Sequence, residues 1–147
     1  MNNNGKSNFM FILLIPLFIV MSLIVVDTLF SYIENKRLKS TTESILTDII
    51  NNNEIDINEY NEEIKKEFER KGYETDMLIV EANDYDVYVE NEHAYFGIFS
   101  SFSKKKSMET EVNILGLTFK AKKNSVARIK VTAKLNYDNQ LEFEYTK

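Results

Sequence analysis

The sequence predicts an α+β protein: an N-terminal transmembrane helix that continues into a stalk helix, then a short second helix and a C-terminal antiparallel β-sheet of hairpins. Three observations predict this fold class. The first thirty of the 147 residues carry only two charges, those of Lys6 and Asp27. Apolar residues recur at helical spacing as far as Ile50. From Thr75 onward they alternate with polar residues, which is the period of a β-strand.

The apolar run covers residues 9–26 and contains no charge. At about 1.5 Å per helical residue, this run and its neighbours match the roughly 30 Å hydrocarbon core of a bilayer. We therefore predict a polar leader over residues 1–8 and a transmembrane helix over residues 9–30. Pro16 is expected to bend this helix, because it removes one backbone hydrogen bond. Asp27 is expected at the membrane interface, where a carboxylate is less costly than at mid-bilayer.

A cleavable secretory signal peptide is the alternative interpretation of this run. Lys6 would supply its positive charge. However, the apolar core of a signal peptide is usually about 7–15 residues long and precedes a small-x-small cleavage site. Here the run is longer, and Val25-Val26-Asp27-Thr28-Leu29 stands at its end. We expect the helix to be retained as a single membrane anchor.

The charges that flank the helix bear on its orientation. Lys6 lies on one side, whereas Lys36, Arg37 and Lys39 lie on the other. Because the cytoplasmic flanks of membrane helices carry an excess of Lys and Arg, this count alone favours a cytoplasmic C-terminus.

Beyond the membrane, the helix is predicted to continue as a stalk over residues 31–53. No helix breaker occurs between Asp27 and Asn51. The Ser40-Thr41-Thr42 segment has low helix propensity and predicts a weakened turn within the stalk. Residues 54–147 then suffice for one small α+β domain and are too few for two cores.

The second helix is predicted to begin at Asp56, a favourable N-cap residue with Glu59 at the capping-box position. Lys71 and Gly72 supply the signals for its end. Between these signals, an apolar stripe that we expect to pack on the sheet consists of Ile57, Tyr60, Ile64 and Phe68.

The clearest hairpin joins the last two alternating segments of the chain. A three-residue loop, Tyr137-Asp138-Asn139, sets Leu135 opposite Leu141 and Lys134 opposite Glu142. A two-residue loop would instead place a leucine opposite a glutamate. Both faces of the hairpin therefore specify the same register.

A second hairpin is predicted with Asn91 and Glu92 as its loop. This loop would set Val89 opposite Ala94, so that the two strands share one apolar face. Residues 77–81 are expected to add a further strand before it.

A third hairpin is predicted around Leu115-Gly116, which sets Glu111 opposite Lys120.

The charges of the domain are also sorted into blocks along the sequence. Residues 74–102 carry seven acids and no Lys or Arg, whereas residues 103–147 carry ten bases and five acids. We expect the two blocks to pair across neighbouring strands.

The residue inventory excludes several classes of protein. With no cysteine, the chain has no disulfide framework, thiolate zinc site or cysteine nucleophile, and its only histidine is His93. The sequence contains no glycine-rich phosphate loop or nucleophile elbow. A net charge of -5 argues against nucleic acid as a partner. We predict a non-enzymatic protein without a cofactor.

Two clusters are candidates for ligand binding. Asp84, Asp86 and Glu90 could collect a hard cation on the polar face of a strand, or they could be ordinary solvated charges. The basic patch consists of Lys104, Lys105 and Lys106. It follows an aromatic stretch and could contact phospholipid or a protein partner, or it could be a solubilising connection.

The segment over residues 4–50 resembles the TadE-like minor pilins, or pseudopilins, of the tight-adherence (Flp) pilus system. The resemblance rests on Gly5 and Lys6 before the apolar run, Pro16 in its first half, and Asp27 at its end. Met10 stands where many members of the family carry a glutamate.

The resemblance implies cleavage after Gly5 and a cytoplasmic N-terminus. It also implies an extracytoplasmic domain and a role in pilus assembly together with the lipid bilayer and other pilin-like or pilus-assembly membrane proteins. The alternative function is a membrane-tethered binding module for a cation, a wall polymer or a lipid headgroup.

Overall fold

The computed structural model describes residues 4–52, 54–95, 97, 108–114, 117–123, 125–135 and 140–146. Within these residues, the helices are α1 (Asn4–Ile50) and α2 (Tyr60–Arg70), preceded by a 3₁₀ turn over Ile57–Glu59. The strands are β1 (Ile79–Ala82), β2 (Asp86–Tyr95), β3 (Met108–Ile114), β4 (Leu117–Lys123), β5 (Ser125–Leu135) and β6 (Leu141–Tyr145). The predicted α+β fold class is confirmed.

Helix α1 runs for 47 residues without interruption, with Pro16 inside it. It is already helical at Asn4, so the second part of the predicted leader belongs to the helix. The weakened turn predicted at Ser40-Thr41-Thr42 is wrong. The helix continues through this segment, where Thr42 is fully buried in the domain and its hydroxyl donates a 2.8 Å hydrogen bond to the Leu38 carbonyl.

Helix α2 forms where it was predicted. The Asp56 side chain accepts a 2.9 Å hydrogen bond from the Asn58 N–H and so caps the 3₁₀ turn that leads into the helix. Gly72 ends it with a φ of 82°, a conformation that favours glycine. The Tyr73 N–H then donates to the Phe68 carbonyl at 2.9 Å. This pattern is a Schellman motif, and it turns the chain back toward the core.

Four strands form an antiparallel sheet in the order β1-β2-β5-β6, whereas β3 and β4 form a separate two-stranded sheet. Two predicted registers are confirmed, because Leu135 lies opposite Leu141 and Glu111 lies opposite Lys120. Strand β2 pairs along its whole length with β5. An acidic strand therefore lies beside a basic one.

The hairpin predicted at Asn91-Glu92 is wrong. Both residues lie inside the continuous strand β2, opposite Ile129 and Arg128 of β5. The Asn91 side chain is fully buried, donates a 3.3 Å hydrogen bond to the Glu74 carbonyl, and accepts a 2.9 Å bond from the Glu92 N–H. Because these contacts satisfy the amide inside the domain, Asn91 does not need a turn or solvent.

The turn into β2 lies earlier, at Asn83. The Asn83 N–H donates to the Asp86 carbonyl. Its side-chain oxygen accepts hydrogen bonds from the backbone N–H groups of Tyr85 and Asp86, at 2.9 and 3.0 Å. Such side chain to backbone bonds are what make asparagine a turn residue.

Both helices pack on one face of the four-stranded sheet, which gives a two-layer domain. Strand alternation directs the apolar side chains of β2 and β5 toward the helices. The core consists of Leu38, Ile45, Leu46, Ile49, Ile64, Phe68, Tyr73, Val87, Val89, Ala127, Ile129, Val131 and Ala133. The part of α1 before Leu38 extends beyond this core.

Candidate functional site

The first part of α1 protrudes from the domain. From Asn8 to Phe30, every side chain except that of Asp27 is exposed, and Phe18 reaches 70% exposure. Among the residues that the structure describes, α1 is the one helix long and apolar enough to cross a membrane. An apolar surface of this kind is unfavourable in water and favourable in lipid.

The residues predicted as functional from the sequence lie at separate levels along α1. Gly5 and Lys6 lie in its first turns, Pro16 lies in the exposed apolar part, and Asp27 is partly buried at the end of that part. The lysines at 104–106 lie outside the described residues. The structure therefore does not gather the described candidates into one cluster.

A stripe of shielded residues on α1 faces the domain. Its members are Asp27, Ser31, Glu34, Leu38, Thr42, Ile45 and Ile49. Their spacing of three or four residues keeps them on one side of the helix. Because the stripe begins well before Leu38, the shielded side of α1 extends back to the end of its exposed apolar part.

Glu34, Tyr73 and His93 meet where the contact between α1 and the sheet comes nearest to the exposed apolar part of α1. The His93 Nε2 atom lies 3.8 Å from a Glu34 carboxylate oxygen. The rings of Tyr73 and His93 pack edge to face with centroids 4.8 Å apart, and the Tyr73 hydroxyl lies 3.4 Å from the hydroxyl of Thr41. These contacts fasten β2 to the stalk.

Sequence reasoning noted His93 only as the sole histidine and missed its contact with Glu34. The signal that could have found Glu34 is its helical spacing with Leu38 and Ile45, which places a carboxylate on the side of α1 that faces the sheet. When His93 is protonated, the two groups form an ion pair across the two layers of the domain.

Strand β6 is fastened to the stalk through Tyr145. Its hydroxyl donates a hydrogen bond to the Glu43 carboxylate, and the Lys39 ammonium lies 4.0 Å from the centroid of its ring, within cation–π range. Partial burial, together with the hydrogen bond to Glu43, raises the pKa of the Tyr145 hydroxyl above its ordinary value. The hydroxyl therefore remains a donor at physiological pH.

The outer face of the sheet carries paired charges. Glu90 accepts a 2.9 Å hydrogen bond from the Tyr88 hydroxyl and lies 3.2 Å from the Lys130 ammonium. The hydrogen bond from Tyr88, and then the contact with Lys130, hold the pKa of Glu90 below its ordinary value, although burial of the carboxylate acts in the opposite direction. Arg128 pairs in the same way with Glu92. The predicted pairing of acidic and basic strands is confirmed for β2 and β5.

Two of the three candidate cation ligands, Asp86 and Glu90, are engaged in other contacts, and Asp84 is exposed. Asp86 accepts a 2.5 Å hydrogen bond from the Asn83 side chain in the β1–β2 turn, while Glu90 is bound by Tyr88 and Lys130. In the part of the chain that the structure describes, no group of three or more His, Cys, Asp or Glu residues is arranged to hold a metal ion.

No protein-family model, curated protein or solved structure matches this chain. The geometry of α1 and its contacts with the sheet therefore carries the functional conclusion.

Proposed function

We propose that the protein is a membrane-anchored, non-enzymatic, pilin-like protein that takes part in assembly of a pilus of the tight-adherence type. The observation that carries this proposal is the construction of α1. Its first part is apolar and exposed, and its last part lies in the domain core, with no break between them. A subunit of this shape can pack its apolar helix against other membrane helices while the sheet is held at a fixed position above the bilayer.

The start of α1 supports the TadE-like character of this proposal. Gly5 and Lys6 lie just before the apolar part of the helix, separated from it by Ser7 and Asn8. Cleavage after Gly5 would therefore leave the apolar helix at the new N-terminus, ready for lateral packing in the membrane. Met10 in place of a glutamate makes this packing wholly apolar at that position.

In the proposed arrangement the N-terminus is cytoplasmic and the domain is extracytoplasmic. The proposed partners are the lipid bilayer and other pilin-like or pilus-assembly membrane proteins, without nucleic acid. Lys36, Arg37 and Lys39 favour the reverse orientation by the positive-inside rule. Orientation is consequently the first property to test.

Protease treatment of intact cells, combined with N-terminal sequencing of the purified protein, tests orientation and processing together. We expect external protease to digest the domain and the mature chain to begin at Lys6. Protection in intact cells, with digestion only in inverted vesicles, would show that the proposed orientation is wrong.

Deletion of the gene in a host that makes such a pilus tests the assembly role. We expect loss of pili, restored by the full chain but not by the Ile19→Arg variant, which places a charge in the middle of the membrane segment. Normal piliation of the deletion strain would refute the assembly role while leaving membrane anchorage intact.

A further inference from the structure

The stalk has a second face, turned away from the sheet. It carries Tyr32, Ile33 and Lys36 on the side of α1 away from the shielded stripe, and Arg37 lies at the edge of this side. Tyr32 and Ile33 are 64% and 53% exposed, and both basic residues are exposed as well. Aromatic and apolar side chains followed by basic ones are typical of the boundary between membrane and water.

The two basic residues of this face differ from five other basic residues that the structure describes. Ion pairs with carboxylates are formed by Lys66, Arg70, Arg128, Lys130 and Lys134. Among the described residues, neither Lys36 nor Arg37 has such a partner. Their positive charge is therefore not neutralised within this part of the chain.

The basic face lies at the level of the lipid headgroups. The backbone of Lys36 and Arg37 lies about 9–11 Å beyond Phe30 along the helix axis. Helical side chains lean toward the N-terminus, and the Lys36 ammonium accordingly lies 5.9 Å from the centroid of the Tyr32 ring. Since Tyr32 is only about 3 Å beyond Phe30, this ammonium is well within the Debye length of ~10 Å from the headgroups.

We infer that Tyr32, Lys36 and Arg37 form a binding surface for the phosphate headgroup of an anionic phospholipid, which sets the height and tilt of the domain on the membrane. The inference rests on the membrane anchorage proposed above and is independent of pilus assembly. Basic residues at an anionic membrane surface each strengthen binding about fivefold. Their N–H donors also suit phosphate oxygens.

Because the chain contains no tryptophan, Phe30→Trp supplies a single fluorescent reporter at the membrane edge. The full chain with this substitution is reconstituted in vesicles of phosphatidylcholine and phosphatidylglycerol at equal mole fractions. Bromine is carried on the acyl chains of one lipid or the other. We expect brominated phosphatidylglycerol to quench the tryptophan several-fold more effectively than brominated phosphatidylcholine, and we expect high salt to reduce this preference.

The test variant is Lys36→Glu/Arg37→Glu in the same background, and the matched control is Lys65→Glu/Lys71→Glu. The control makes the same change of charge at exposed residues of and next to α2. The end of α2 lies near Asp48, whose charge acts on Arg70, and Asp48 is about 27 Å beyond Phe30. We expect the test variant to lose the lipid preference and the control to keep it.

Equal quenching by the two lipids in the starting background would overturn the headgroup site and leave the anchor standing. The same conclusion would follow if the control lost the preference as fully as the test variant, because net charge would then explain it. No quenching by either lipid would overturn the anchor and the headgroup site together.

Discussion

The two halves of α1 belong to one unbroken helix, but their apolar residues are distributed differently around it. In the first half, from Asn8 to Val26, apolar residues occur on every side and all side chains are exposed. In the second half, from Leu38 to Ile50, buried residues occupy one side while Lys39, Ser40 and other polar residues occupy the rest. The first half therefore presents an apolar surface on every side, whereas the second half presents an apolar side to the domain core and a polar side to water.

The difference teaches where each half obtains its stability. The second half buries its apolar stripe against β5 and α2 of its own chain, so its contribution belongs to the folding of the domain. Among the described residues, the first half makes no such contact, and we expect its apolar surface to be stabilised by something outside the domain. Matched substitutions in the two halves should therefore act on different measurements.

Truncation of one isoleucine in each half is the strongest test of this contrast. Ile45 is 0% exposed and Ile19 is 55% exposed. We expect Ile45→Ala to reduce the free energy of unfolding of the domain by about 2–5 kcal/mol, because it leaves a cavity. Ile19→Ala should change it by less than about 0.5 kcal/mol. Urea titration of the detergent-solubilised chain measures both, and equal effects would break the comparison.

A charge placed in the membrane half should act on insertion. Ile19→Arg is expected to disfavour membrane insertion by about 2.5–3.5 kcal/mol, since it places a guanidinium near mid-bilayer. Ile33→Arg, on the exposed side of the stalk, should remain in the membrane fraction. Alkaline extraction of membranes distinguishes the two, and retention of both variants would argue against residues 9–30 as the span.

The turn at Gly72, which ends α2, tests how the domain that contains the second half of α1 is stabilised. Gly72→Ala is expected to destabilise the domain by about 1–2 kcal/mol, because φ is positive there. A Cβ at this position would meet nothing within 4 Å, so the cost is conformational. Gly72→Asn, which tolerates this conformation, should recover part of the stability in the same urea titration. An alanine variant as stable as the original would be inconsistent with this turn.

The smallest expected effect concerns pH. The pKa of Glu90 is held below its ordinary value of 4.5 in the folded domain, so its contribution is present above that value and is lost as pH falls through the folded pKa. At pH 7, Glu90→Gln should lower the free energy of unfolding by about 0.2–1 kcal/mol. This difference should shrink at pH 3. A constant difference across that range would exclude the charged contact as its cause.

Elements governed by neighbouring residues could be predicted from the sequence. Asp56 begins the 3₁₀ turn that leads into α2, and Gly72 ends the helix, because capping depends on the backbone a few residues away. Leu135 was matched to Leu141 because both faces of that hairpin alternate in character. The length of the apolar run likewise predicted the exposed part of α1.

Elements governed by distant residues could not be predicted in this way. Asn91 was placed in a turn because asparagine commonly forms turns, whereas its hydrogen bond to the Glu74 carbonyl depends on how the chain folds back on itself. The approach of Glu34 to His93 likewise joins a helix to a strand far along the sequence. Gly5, Pro16 and Asp27, by contrast, are identified by pattern, and their spacing along one predicted helix already sets them at separate levels.

Because α1 is continuous, the position of the sheet also determines which side of the exposed apolar segment lies beneath it. Eighteen residues make about five full helical turns, so Val20 lies directly beneath Leu38, on the side over which the sheet hangs. Phe18 lies beneath Lys36, on the open side. A neighbouring membrane helix that docks along Phe18 meets no overhanging domain, whereas one that docks along Val20 has the sheet above it. Deleting one residue between Phe30 and Glu34 would rotate the domain by about 100° about the helix axis relative to such a neighbour.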